Sequence, residues 1–352
     1  MWVTSSLTTV LTPTAVALGN FDGVHRGHQQ VIRPVLPNSA IETQIIATSQ
    51  RGCSWVEKRE ILTENPIEER EIPLTAATER PHVTVVTFHP HPQEFFTGQS
   101  RALLTPPEEK ARQLGRLGVE QLVLLPFDQE LADLSPQQFV EEILVRQLQS
   151  RRISVGADFR FGRKRSGTSA DLQAIAATYD IEVIIVPLQT CQGERISSSD
   201  IRQALTQGEL ARANQLLGRS YSLTGPVVQG QQLGRTLGFP TANLNLPPEK
   251  FLPRYGVYAV KVFLEQELGR KEAEEMIPCP IPGVMNIGCR PTVSGSSPTV
   301  EVHLIDWTGD LYGKTLTVSL EQFLRSEQKF ASLDALKDQI QADCATAKEI
   351  LS

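Results

Sequence analysis

Short β-branched runs alternate with helical patterns along the first part of this chain, and from residue 221 strand patterns follow one another up to a single helical tail. This change of rhythm limits the fold more than any other feature. VTVVTF (83–88), VEQLVLLPF (119–127), ISVGADF (153–159) and IEVIIVP (181–187) read as strands, rich in side chains that suit a pleated surface. Between them lie PPEEKARQLGRLG, with proline at its start and Gly118 as its stop, SPQQFVEEILVRQL, capped by Ser135 ahead of Pro136, and SADLQAIAATY. Strands separated by helices predict a parallel sheet covered on both faces. Val16 to Leu18 end an earlier strand of the same set.

SSDIRQAL and GELARANQLLG predict two short helices, the second ending at Gly218. From Tyr221, YSLTGPVV, GVYAVKVFL, GVMNIG, TVEVHLID and KTLTVSL follow one another with glycine and proline between them. Consecutive strands of this kind predict a small closed or partly closed barrel. The tail, SLDALKDQIQADCATAKEIL, is an amphipathic helix capped by Ser332. The reading is an α/β domain over 1–205 with an irregular, proline-interrupted insertion at 34–82, a helical linker over 206–220, and a β domain over 221–352.

Composition narrows the function classes. A net charge of −6 over 352 residues argues against a nucleic-acid partner, which needs a basic footprint. No apolar run reaches the length of a membrane span, and MWVTSSLTTVLTPTAVAL lacks the positive start of a signal peptide. The five cysteines are an odd number, widely spaced, with no C-x-x-C. They predict a reduced, cytoplasmic protein without structural zinc. Self-association, as a homo-oligomer, is compatible with all of this.

Two stretches carry chemistry. In GNFDGVHRGH (19–28) a strand leads through Gly19, Asn20, Phe21, Asp22 and Gly23 into a short helix. Such a loop aims free N–H groups at one spot and suits a phosphate. His25 and His28, three apart, share a helical face and can donate to phosphoryl oxygens. The same letters also fit a plain turn, and H-x-x-H fits half of a metal site whose other ligands are not nearby. Further on, HPHP holds His91 and Pro92 in a fixed, extended loop. FRFG sets Arg160 between Phe159 and Phe161, either to support a flat ring or as an exposed arginine. In ISSSDIR, Ser197 and Ser198 can cap a helix, and Arg202 one turn in can clamp phosphate bidentately.

The second stretch is GPVVQGQQLGRTLGFPTANL (225–244). Thr241 and Asn243 offer hard oxygen ligands for Mg²⁺, pointing the same way on an extended segment. A local turn explains the same letters. Along TVEVHLID, Val300, Val302 and Leu304 face one side and Glu301 and His303 the other. Glu301 is then a general base on an open face or a solvated glutamate.

A resemblance decides among these. GNFDGVHRGH resembles the H-x-G-H signature of the nucleotidylyltransferase superfamily, in the form carried by bacterial FAD synthetases. TFHPHPQEFF (87–96), GADFRFGRKRSGT (156–168) and ISSSDIRQAL (196–205) resemble that family's later motifs, in order. GRTLGFPTANL, GVYAV, NIGCRPT, EVHLIDWTGDLYG and FLRSEQKF resemble riboflavin kinases, again in order.

The resemblance implies a Rossmann-like nucleotidylyltransferase domain followed by a six-stranded β-barrel kinase domain with a terminal helix. It implies that Gly19, Asn20, Phe21, Asp22, Gly23, Ser197 and Ser198 bind ATP, that His25, His28 and Arg202 serve its phosphates, and that His91, Pro92, Asp158, Phe159 and Arg160 line a flavin pocket. In the second domain it implies Gly234, Arg235, Thr241 and Asn243 for ATP, with Mg²⁺ on Thr241 and Asn243, Glu301 as the base, and Arg325 closing over the flavin. Asp200 stands where the family usually has a basic residue. The expected activity is phosphorylation of riboflavin to FMN, then adenylyl transfer from ATP to FMN giving FAD. The alternatives are a kinase whose adenylyltransferase site is impaired, or a non-catalytic flavin-binding regulator.

Overall fold

Two compact units emerge from the packing, and they do not follow the chain in one piece. The first comprises Met1–Asn20, His28–Gly98 and Ala111–Leu188; the second comprises Phe21–Gly27, Gln99–Lys110 and Gln189–Ser352. The computed structural model describes residues 1–37, 80–191, 193–230, 233–264, 280–292 and 295–352, and the side chains of 233, 235 and 290–297 fall outside that description. Most of the insertion predicted at 34–82 therefore lies outside the described residues.

The first unit is built on β1 (Trp2–Thr4), β2 (Thr14–Leu18), β3 (His82–His89), β4 (Gln121–Pro126) and β5 (Ser150–Gly156). After β5 comes a hairpin of β6 (Arg160–Phe161) and β7 (Gly167–Thr168), and then β8 (Glu182–Val186). Six strands form one parallel sheet in the order β1-β4-β3-β2-β5-β8. Every residue of β2, TAVAL, is buried, as expected of a central strand covered on both faces. Val16, Leu18, Val86, Val123, Ile153 and Val155 meet Phe139, Leu144 and Leu172 from the covering helices in one core. The chain builds outward from β2 through β3 to β4, then returns to lay β5 on the other side of β2. Sheets of this order bind ligands beyond the carboxyl ends of the strands, where the order reverses.

Most predicted helices stand where the pattern puts them. The helix Pro107–Arg116 begins with proline, and Ser169–Ala177 is capped by Thr168. The stretch after Ser135 differs. Pro136–Gln138 opens as an α-helix with a Ser135–Gln138 capping box, but Phe139–Gln147 is wound as a π-helix. Hydrophobic spacing does not separate those two windings over nine residues. The edge strand β1 was not predicted, because three residues are too few to show alternation.

The second unit holds a small hairpin of β9 (Thr190–Cys191) and β10 (Glu194–Arg195), and the helices Ser198–Gln207 and Leu210–Leu217. Its barrel strands are β11 (Tyr221–Val228), β12 (Ala242–Leu244), β13 (Gly256–Leu264), β14 (Ile281–Thr292), β15 (Gly295–Leu304) and β16 (Thr315–Arg325). They close in the antiparallel order β11-β12-β15-β14-β13-β16, with β16 returning to β11. The residues pointing inward include Leu223, Tyr258, Val260, Met285, Val302 and Val318. The terminal helix Leu333–Leu351, capped by Ser332, lays Cys344 and Ala347 over Val257, Ala259 and Val284 on the outside of β13 and β14. That explains why GVYAVKVFL is nearly continuously apolar: β13 is covered on both faces. The barrel is six-stranded, as the resemblance implied; the sixth strand, β12, is the Ala-Asn-Leu of PTANL, a segment whose letters read as a turn.

Candidate active sites

Where β2 ends, the chain enters the first motif. Gly19 N–H donates to Val86 O at 3.2 Å, and Thr87 Oγ1 donates to Asn20 O at 2.9 Å. These two residues stay with the sheet, and the next seven, Phe21–Gly27, pack with the second unit. The loop is strained. Phe21 and Val24 have φ of 46° and 43°, a region that costs a non-glycine residue roughly 1 kcal/mol or more, and most for a β-branched one. Strain of this kind persists only where the surroundings over-determine it. Here the carbonyls are individually held: Ser198 Oγ donates to Asp22 O at 2.8 Å, and Arg219 donates to Gly23 O at 2.7 Å and Val24 O at 3.3 Å. Thr105 makes two further bonds, its N–H to Asp22 Oδ1 at 3.1 Å and its hydroxyl oxygen accepting from Gly23 N–H at 2.9 Å. Gly23 has φ of 92°, and a Cβ there would press on Leu104 at 3.0 Å.

The predicted Ser198 and Arg202 both contact Asp22 of this loop. Arg202 ion-pairs with Asp22, both largely buried, and also donates to Ser198 O at 3.2 Å and Ala102 O at 3.1 Å. Ser197 caps the helix Ser198–Gln207: it accepts from Asp200 N–H at 3.2 Å and donates to Asp200 Oδ2 at 2.5 Å. The unusual Asp200 thus completes the cap at the positive end of the helix, where a carboxylate is favoured.

His25 is 5% exposed. Burial pushes its imidazole from 6.5 down to about 4, against the opposing pull of the Asp22 carboxylate. The ring is therefore neutral at pH 7. Between about pH 4 and pH 6.5 the unfolded chain binds a proton there that the folded chain does not, so stability rises with pH across that window and is lost as pH falls through it. A shift of this size corresponds to about 3 kcal/mol. In urea titrations, His25→Gln should lose less stability than the parent between pH 7 and pH 4.5; parallel losses would clear His25 of the effect. His28, half-buried, lies on the helix Arg26–Ile32 and belongs to the first unit.

The remaining residues of the first motif set stand after β3 and β5. His91 caps the short helix Pro92–Thr97, its Nδ1 accepting from Gln93 N–H at 3.1 Å while Glu94 accepts from His91 N–H at 3.0 Å. Asp158, Phe159 and Arg160 follow β5. The rings of Phe159 and Phe161 stack on each other at 5.8 Å and pack in the core of the first unit, while Arg160 between them is exposed. Residues i and i+2 of an extended segment share a face, so the two aromatics do not flank Arg160. Another aromatic group was missed: Phe95, Phe96 and Phe127 meet with centroids 5.3 to 5.8 Å apart, and Phe96 is 68% exposed. The signal lay in the paired phenylalanines of PQEFF.

On the barrel, strand register assembles the second site. Asn243 on β12 pairs with Glu301 on β15, and Glu301 pairs with Asn286 on β14. Val302 inside the barrel pairs with Ala242 and Met285, so alternation sends all three polar residues outward as one row. Thr241 Oγ1 donates to Glu301 Oε2 at 3.4 Å. A Cβ at Gly230 would fall on the Asn243 amide, and one at Gly234 would meet the Phe239 carbonyl, with Thr241 Oγ1 behind it at 3.4 Å. Backbone therefore approaches Asn243 and Thr241 as closely as glycine allows. The side chain of Arg235 lies outside the described residues. Asn286 was missed; strand alternation in GVMNIG, with Met285 and Ile287 inward, would have placed it beside Glu301. Arg325 ends β16 and is bound bidentately by Asp343 of the terminal helix at 2.7 to 3.1 Å, with Phe330 5.7 Å from its guanidinium.

The oxygen donors of Thr241 and Asn243 are the hard kind that Mg²⁺ takes, so these residues fit the ion. Among the described residues no group of three His, Cys, Asp or Glu stands ready for a softer metal, and no helix is long and apolar enough to cross a membrane.

Comparison with known proteins covers nearly the whole chain. The family described as FAD synthetase matches residues 7–48 and 70–200, and the family described as riboflavin kinase matches 217–351. A bifunctional riboflavin kinase/FMN adenylyltransferase of Escherichia coli strain K12 is 39% identical over 335 residues, 95% of this chain and 91% of that one. The protein of the same name from Bacillus subtilis is 34% identical, covering 94% of this chain and 90% of its own. A crystal structure from Streptococcus pneumoniae, described as a macrolide-efflux protein, superposes with a TM-score of 0.75 at 29% identity and covers 98% of each chain. With two matched halves in the same order and identity along nearly its full length, the chain belongs to the bifunctional riboflavin kinase/FMN adenylyltransferase family.

Proposed function

We propose that this chain phosphorylates riboflavin to FMN on its barrel and transfers an adenylyl group from ATP to FMN at the loop that follows β2, giving FAD and pyrophosphate. The observation that carries the kinase half is the outward row of Asn243, Glu301 and Asn286, with Thr241 against the carboxylate. Glu301 takes the proton of the terminal ribityl hydroxyl, whose oxygen attacks the γ-phosphorus of ATP as ADP leaves. Thr241 and Asn243 would hold Mg²⁺ with the nucleotide, and Gly234 belongs to the same nucleotide wall. Bound there, the ion offsets charge on the phosphates. Arg325, fixed by Asp343, frames the flavin end.

In adenylyl transfer the FMN phosphate is already an anion, so its oxygen attacks the α-phosphorus without a protein base. Positioning and charge stabilisation carry the step. Gly19, Asn20 and the Phe21–Gly23 turn, with Ser197 and Ser198, serve ATP. His25 and His28 hydrogen-bond its phosphates as charge moves onto pyrophosphate; His25 does so as a neutral imidazole. Arg202 holds Asp22 and lends its charge beside the loop. His91, Pro92, Asp158, Phe159 and Arg160 stand at the flavin end, and the exposed Phe96, packed edge-on against Phe95, offers a flat ring a surface to stack on.

Chromatographic analysis of products tests the whole reading. Given riboflavin, ATP and Mg²⁺, the protein should form both FMN and FAD, and given FMN it should form FAD. Arrest at FMN would leave a kinase alone, and no product from a flavin-binding sample would leave a regulator.

A further inference from the structure

Lys250 lies in the turn before β13, far along the chain from the first motif, and its side chain is only 1% exposed. Its ammonium donates to Glu109 Oε2 at 2.5 Å and to Leu104 O at 2.8 Å, and sits 4.6 Å from the centre of the Tyr221 ring. The backbone beside it grips the same segment. Leu103 N–H donates to Glu249 O at 2.6 Å, and Phe251 N–H donates to Leu103 O at 2.8 Å, a parallel bridge centred on Lys250. One residue beyond Leu104, Thr105 makes the two bonds that fix Asp22 and Gly23. Ala102, one residue before Leu103, accepts from Arg202, whose guanidinium lies 5.8 Å from the centre of the Phe251 ring. Residues 249–251 thus hold residues 102–109, and residues 102–105 hold the strained loop and its arginine. All of these residues belong to the second unit.

We infer that Lys250, a residue of the riboflavin kinase half, is a positioning residue for adenylyl transfer. Its ion pair with Glu109 sets the segment against which the Asp22–Gly23 turn is built. A buried pair is suited to this, because removing one partner leaves the other charged and uncompensated, and the segment must move to relieve it. The outward row on the barrel is built on β12, β14 and β15, and residues 249–251 belong to none of these strands. The inference rests on the reading that the Phe21–Gly27 loop serves ATP in adenylyl transfer.

The test uses the full chain and both reactions. Lys250→Met should lower kcat/KM for FAD formation from FMN by roughly 10- to 100-fold, the scale expected of a displaced binding loop, and leave FMN formation from riboflavin within about twofold of the parent. Glu109→Gln should reproduce that selectivity. The double variant Lys250→Met/Glu109→Met, which strands no charge, should recover part of the lost rate if the pair acts by fixing the segment. It also keeps the test open if the single variant does not fold. Equal loss of both reactions, or unchanged FAD formation in Lys250→Met, would overturn the inference. Asp22→Asn separates that failure from failure of the underlying reading. If it abolishes FAD formation while Lys250→Met does not, only the role of Lys250 is lost; if Asp22→Asn is harmless, the assignment of the loop goes with it.

Discussion

A Glu301→Gln protein is expected to make no FMN from riboflavin while converting FMN to FAD at the parent rate. The substitution keeps the shape of the side chain and an oxygen for the Thr241 contact at 3.4 Å, and removes only the carboxylate proposed as the base. Loss of a positioned general base costs about 10²- to 10⁴-fold in rate. Because Glu301 points out of the barrel, between Asn243 and Asn286, the barrel core is untouched and stability should be near that of the parent. FAD formation from FMN is then the internal control for folding. Loss of both reactions in a folded protein would contradict the assignment of two separate chemistries to the two motif sets.

Arg202→Met carries the second large effect. Arg202 holds Asp22, Ser198 O and Ala102 O together, with side-chain exposures of 15% for Arg202 and 7% for Asp22. Methionine fills the space of the stem and leaves the Asp22 carboxylate buried without its cation, a change worth roughly 3–5 kcal/mol. The left-handed Phe21 and Val24 are held partly through Asp22, so the loop should relax once that carboxylate is released. FAD formation should fall about 100-fold or more, thermal unfolding should come earlier, and riboflavin phosphorylation should persist. Arg202→Lys should not restore the activity, because an ammonium lacks the planar fork that reaches several acceptors at once. Full FAD formation in Arg202→Met would show that the loop holds its shape without this ion pair.

Much of the architecture was legible because the hydrophobic rhythm is strong. The alternation of strands and helices up to residue 187 gave the parallel sheet, and the consecutive runs after Tyr221 gave the barrel. In the main sheet and the barrel the strands that escaped, β1 and β12, have three residues each, too short for any period to show. Glu301 was legible for the same reason that its strand was: Val300, Val302 and Leu304 claim the inside and leave it outside. Thr105, Arg219 and Lys250 were not legible. Their partners lie 82 to 196 residues away along the chain, and nothing local in the sequence marks a side chain as the support of a distant loop. In FRFG the two rings stack on each other and Arg160 stays exposed, because alternate residues of an extended segment share a face.

The interleaving of the two packing units bears on how such a chain can be inherited. The motifs divide it cleanly near residue 205, yet the segments Phe21–Gly27 and Gln99–Lys110 pack with everything beyond Gln189. A genetic cut at the motif boundary would therefore part the loop from Arg219 and Lys250, and a transplanted kinase domain would have to bring equivalents of both. The two reactions are encoded one after the other, but the chain that performs them is modular in its message and not in its matter.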